Sequence, residues 1–282
     1  PTFVITVPSE ITVCNGAPVA AINFSSPVSG TTYSWTNNNP AIGLAASGSG
    51  NIAGFTATNT SADPITASIT VNSSANSCSG TPASFTITVN PTPTMSVPAN
   101  VTVCNTASIA ATNFTSPTAG TNFTWPNNNT AIGMAGSGSG NIAAFNATNT
   151  TANPITATIT VTPAANTCTG TPSTYTITVN PTPTVTIPAN IAVCNGGSVA
   201  ATNLSSSTSG TTYTWTNNNT AIGLAASGSG DIAGFNASNT SANPITATIE
   251  VTPTANTCIG TPSTYSITVN PTPTVSVPAN IT

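Results

Sequence analysis

Lysine, arginine and histidine are all missing from the 282 residues of this chain, and Glu10, Asp63, Asp231 and Glu250 are its only carboxylates. With no cation to meet a phosphate, binding to nucleic acid or to an anionic membrane surface is excluded, because both draw on clustered Lys and Arg. Losing His and Lys also removes the usual bases that activate a Ser or Cys nucleophile, which argues against hydrolase chemistry. The carboxylates are solitary as well. Asn100 and Asn190 take the place of Glu10 in the other copies of the repeat described below, Asn153 and Asn243 that of Asp63, and Asn51 and Asn141 that of Asp231. Neither the acid pair of a glycoside hydrolase nor the oxygen cluster of a calcium site arises from single acids. The chain is therefore read as no enzyme, with no catalytic residue, cofactor or metal. It also lacks any apolar run near the ~18 residues of a membrane span, and any basic leader.

What the chain does have is a repeat. The phrase ITVNPTPT begins at residues 87, 177 and 267, and Cys14, Cys104 and Cys194 recur with the same period of 90, as do Cys78, Cys168 and Cys258. Three copies of ordinary domain size follow, at 1–90, 91–180 and 181–270, with residues 271–282 reading as the start of a fourth. Since residue 1 is a proline, the sequence reads as a piece of something longer.

Each copy carries two cysteines, 64 apart. A structural zinc wants four thiolate or imidazole ligands, so a disulfide is the better reading. Bridging Cys78 to Cys104 and Cys168 to Cys194 would strand Cys14 and Cys258, whereas bridging within a copy uses all six. The expected pairs are therefore Cys14–Cys78, Cys104–Cys168 and Cys194–Cys258, each copy clasped by its own cystine and exported from the cytoplasm.

Strand signals are clearest late in each copy. In ITATITVTP, from residue 155, Ile155, Ala157, Ile159 and Val161 alternate with threonines, the period of a half-buried strand. STYTITVN follows after a CTGTP turn, and the two segments read as a hairpin. Earlier, Tyr33 with Trp35, Phe123 with Trp125 and Tyr213 with Trp215 share one face of a short strand, with the tryptophans in the core. NNNPAIGLAASGSGN, from residue 37, reads as mostly turn. NIAGFTATN offers Ala53, Phe55 and Ala57 to a further strand, and the broken parity of VAAINF points to a bulge. About seven short strands per copy make the chain all-β, a tandem array of immunoglobulin-like β-sandwiches. The intervening NPTPT, poor in amide donors and extended by its prolines, reads as a short, stiff linker.

Two other features have bland explanations. GSGNIAG, from residue 48, lacks the spacing of a phosphate loop and reads as a glycine turn. Asn-x-Ser/Thr sequons such as those at Asn23, Asn113 and Asn203 are little more frequent than chance gives among so many asparagines and hydroxyls.

VCNG, TYTWTNNNTAIGLAASGSG, ITVTPTANTC and TPSTY followed by ITVNPTP together resemble the PKD-like, immunoglobulin-fold repeats of very large Bacteroidota surface proteins, gliding-motility adhesins among them. The resemblance covers all three copies, although the WDFGDG motif of better-known PKD domains is missing. It implies export through the outer membrane and a place in the shaft or adhesive body of an extracellular filament. Neighbouring repeats are then the first partners, with surface polysaccharide or further copies of the chain as others. A carbohydrate-binding module, a laterally assembled fibre and a surface-binding array built on Thr156, Thr158 and Thr160 are the alternative readings. Exposed tryptophans would favour the carbohydrate reading.

Overall fold

The computed structural model describes residues 3–276. Three successive units build the same arrangement of short strands around separate cores. The first comprises β1 (Ile11–Cys14), β2 (Pro18–Val19), β3 (Thr32–Asn37), β4 (Ser47–Ser49), β5 (Phe55–Thr56), β6 (Ile65–Ala75), β7 (Cys78–Ser79) and β8 (Ala83–Asn90). Its main sheet runs β1-β8-β6-β3-β4, with β7 attached to β6, while β2 and β5 form a small opposing layer. Three-residue 3-10 turns, Pro40–Ile42 in this unit, are the only helical pieces among the described residues.

The alternation of Thr with apolar residues places the core. Ala67, Ile69 and Val71 of β6 and Phe85, Ile87 and Val89 of β8 point inward and meet Val19, Ile22, Phe24 and Ile52 of the opposing layer. In the second unit the outward threonines of the equivalent strands stand opposite one another, Thr156 against Thr178, Thr158 against Thr176 and Thr160 against Thr174. The VAAINF parity break falls where β2 stops at Val19 and pairing resumes at a lone Ile22–Ile52 bridge.

Two segments differ from their sequence reading. Ser47–Ser49, inside the expected turn, is a strand laid against the tryptophan strand, with Gly48 directly opposite Trp35. A Cβ on Gly48, Gly138 or Gly228 would land on the indole ring of Trp35, Trp125 or Trp215 respectively. These glycines are seats for the aromatic ring, and the turn that follows falls to Gly50, Gly140 and Gly230, whose φ angles are 70–72°. In NIAGFTATN, Ile52 and Ala57 are buried while Ala53 is exposed, because only Phe55–Thr56 forms a regular strand there.

The cystines also depart from expectation. Cys14 is bonded to Cys168 and Cys104 to Cys258, each across 154 residues, and Cys78 and Cys194 are free and exposed. None of the pairs within a copy, Cys14–Cys78, Cys104–Cys168 or Cys194–Cys258, is formed. The reason is strand direction. β1 lies parallel to β8, with Cys14 opposite Asn90 at the far end of that strand. Cys78 precedes the start of β8, so the length of an eight-residue strand, roughly 25 Å, separates the two ends. A disulfide tolerates at most about 7 Å between Cα atoms. Each copy thus carries one cysteine at its head and one at its tail, and the tail of one copy meets the head of the next.

Candidate functional site: the stapled junction

Each junction is built from a turn, a strand end and a linker. In the second unit, strand Ile155–Ala165 folds back into Cys168–Thr169 through the two residues Asn166 and Thr167, whose φ angles are 49° and 66°. Both lie in the left-handed region, as a two-residue hairpin loop of the primed type requires. This turn projects Cys168 toward the first unit. There, Cys14 and Asn90 lie side by side at the ends of β1 and β8. The Asn90 amide donates to the Asn166 carbonyl at 3.0 Å, next to the Cys14–Cys168 cystine. The second junction repeats the arrangement, with Asn180 donating to Asn256 at 3.2 Å beside Cys104–Cys258.

The proline linkers are packed into these joints. Pro91, Pro93, Pro181 and Pro183 are all buried. The carbonyl of Pro93 lies where a Cβ on Gly170 would sit, and Pro183 stands in the same relation to Gly260. Only glycine fits at that point of the CTGTP turn. Asn59, 3% exposed, stiffens the neighbouring loop of the first unit. Its amide donates to the carbonyls of Asp63 and Val89, and its carbonyl accepts from the Ser61 amide at 2.9 Å. Between this loop and the next unit remains a polar cavity of about 350 Å³, capped by Pro117 and Thr118. Its counterpart at the second junction, about 300 Å³, is capped by Ser207 and Thr208.

Elsewhere the surface offers little chemistry. Trp35, Trp125 and Trp215 are each 7% exposed, and the Trp125 indole donates to the Gly140 carbonyl at 3.0 Å. They form no aromatic platform for a sugar. Asp231 accepts from the Leu204 amide at 2.8 Å, as Asn51 and Asn141 do from Phe24 and Phe114. Its carboxylate thus does a backbone-bracing job that asparagine does in the other units. Burial pushes the Tyr175 hydroxyl above its ordinary pKa, and Tyr213 is raised by burial and, next, by Asp231. A cleft of about 500 Å³ in the first unit, beside Val7, Ile11, Val13 and Val19, is lined by apolar, Thr and Asn side chains. No group of three metal-ligating side chains occurs among the described residues. No helix there is long and apolar enough to cross a membrane.

The sequence reading found the six cysteines and missed which of them meet. A signal for the junction exists in the sequence: the glycine of the CxG turn and the prolines of the linker recur in step with the cysteines. The same repeat pattern is caught by a family model for the PKD-like domain, which matches residues 11–93, 101–183 and 191–273. The chain belongs to the PKD-like domain family. No curated protein matches it in sequence. Among solved structures, these PKD-like repeats are similar to mouse cadherin-23 EC22-24, at 9% identity and a TM-score of 0.43, covering 96% of this chain and 99% of that one. They are also similar to Sidekick-1 immunoglobulin domains 1-5, at 13% identity and a TM-score of 0.38, covering 96% and 60%. A third is Drosophila N-cadherin EC1-4, at 11% identity and a TM-score of 0.37, covering 96% and 75%.

Proposed function

We propose that this chain is a structural and adhesive repeat segment of a long extracellular filament on a cell surface, with no catalytic activity of its own. One observation carries this reading: the cystines join successive PKD-like repeats instead of closing each repeat on itself. A staple inside a domain protects that domain, whereas a staple between domains keeps the array in register under tension. Disulfides persist in oxidising compartments, which supports an extracellular place. A nearly uncharged, threonine-covered surface fits a passive shaft, and the buried tryptophans remove the most direct support for a carbohydrate platform.

The reading is tested on the cells that make the protein. Gold-labelled antibody raised against this segment should decorate thin extracellular filaments on intact cells, and deletion of the segment should reduce attachment to a surface. Label found only inside permeabilised cells, or attachment unchanged by deletion, would overturn it.

A further inference from the structure

Most asparagines that recur in all three repeats brace the backbone. In the first unit Asn15 accepts from the Asn59 amide at 2.8 Å, Asn37 donates to the Leu44 carbonyl at 2.9 Å and Asn38 accepts from the Ser68 amide at 2.8 Å. Their counterparts in the other two units make equivalent bonds. Asn23, Asn113 and Asn203 stand apart. All three are exposed, and their side chains bond to nothing among the described residues. Each heads an Asn-x-Ser/Thr sequon, Asn23-Phe24-Ser25, Asn113-Phe114-Thr115 and Asn203-Leu204-Ser205. In every one the middle side chain is buried while the outer two are exposed. A second sequon recurs at Asn59, Asn149 and Asn239, but those residues are 3% exposed and each donates to two carbonyls. Nothing bulky fits there.

Asn23 and Asn203 also lie at matching clefts of about 500 and 480 Å³, lined by apolar, Thr, Ser and Asn side chains with no charge among them. In the first unit the cleft is lined by β1, the last strand of the main sheet, and by β2, which pairs only with β5. Unpaired strand edges beside apolar surface invite pairing between chains, and proteins commonly blunt them with charge. Four carboxylates in 282 residues leave that means almost unused.

We propose that Asn23, Asn113 and Asn203 are N-glycosylated, one oligosaccharide per repeat, and that the glycan shields the cleft and the strand edges beside it. Asn-x-Ser/Thr is the acceptor pattern for this modification, and the product is bulky, solubilising and confined to the surface. The co-substrate is an oligosaccharide carried on a lipid diphosphate. Its anomeric carbon parts from the phosphate oxygen and bonds to the Asn Nδ2, the lipid diphosphate departs with the bonding pair, and the amide proton passes to a base of the transferase. Ser25, Thr115 and Ser205 supply the hydroxyl that the transferase reads. The inference needs export from the cytoplasm and nothing else of the adhesive reading.

The test uses the full protein isolated from the cells that make it. It is digested with thermolysin, since trypsin finds no Lys or Arg, and its glycopeptides are sequenced by electron-transfer fragmentation mass spectrometry. Sugar on Asn23, Asn113 and Asn203 is the expected result, and finding these three unmodified would overturn the proposal whatever the outcome of filament labelling. Two triple variants are made in the same cells, Asn23→Gln with Asn113→Gln and Asn203→Gln, and Ser25→Ala with Thr115→Ala and Ser205→Ala. Both are expected to lose the three glycans from the intact mass while keeping both cystines. Sugar that stays on Asn23 after Ser25→Ala would count against the sequon as its cause. Light scattering then tests the shield: the asparagine variant should begin to associate at a lower concentration than the glycosylated chain, and an identical onset would overturn the shielding role.

Discussion

The hydroxyl of Tyr265 illustrates how finely the repeats differ at single positions. It is buried and has no hydrogen-bond partner among the described residues, while the first unit has Phe85 at the equivalent place, also buried. An unsatisfied buried hydroxyl costs about 1–3 kcal/mol relative to a paired one, whereas an apolar replacement of the same shape carries no such penalty. Tyr265→Phe is accordingly expected to leave stability unchanged or raise it by up to about 1 kcal/mol, measured as the shift in the denaturant midpoint of the third unit. A loss of more than about 1 kcal/mol would show that the hydroxyl is satisfied in solution. The tyrosines also set the response to alkali. Burial raises Tyr175, and burial with Asp231 raises Tyr213. The folded state then holds these protons more tightly than the unfolded chain, which releases them near pH 10. Their contribution is whole below about pH 10 and is lost as pH rises through the folded values. With no Lys, Arg or His to titrate, thermal midpoints should be level between about pH 5 and 9 and fall above about 10. A pronounced slope near neutrality would contradict this.

Strand pairing shows where local sequence is sufficient and where it is not. The Ile155–Val161 alternation was enough to define the longest strand, its inward face and its hairpin partner, because period two assigns every second side chain to one side of a sheet. The SGS strand was illegible, since three small residues have no alternation of their own. Its place is set by the cross-strand pairing of Gly138 with Trp125. Gly138→Ala would put a methyl group into the indole ring and is expected to destabilise the second unit by about 1–3 kcal/mol, the usual range for overpacking. Fluorescence of the unfolding chain reads this out, and an unperturbed midpoint would show that the ring has room to move.

At the scale of the whole molecule, the interlaced cystines change the covalent path along the chain. Between Cys14 and Cys258 the backbone alone runs 244 residues, but a path through both cystines crosses only the 64 residues from Cys168 back to Cys104. Fully stretched, those paths measure about 830 Å and about 220 Å at ~3.4 Å per residue. Single-molecule pulling from residues flanking these cysteines should therefore stop near the shorter length in the oxidised chain and near the longer one after reduction. Equal extensions in both states would rule out the interlaced pairing.

Residue alternation and exact spacing determined by themselves that this protein is all-β and built three times over, because side-chain periodicity and repetition are properties of the chain read in order. They also marked the cysteines, the core tryptophans and the proline linkers. Which cysteines meet was decided only by tertiary structure. β1 pairs with β8 across more than seventy residues, and nothing local to either strand states whether they run parallel or antiparallel. The parallel choice puts the two sulfurs of a repeat at opposite ends of the sheet, and so turns a clasp within each domain into a staple between domains.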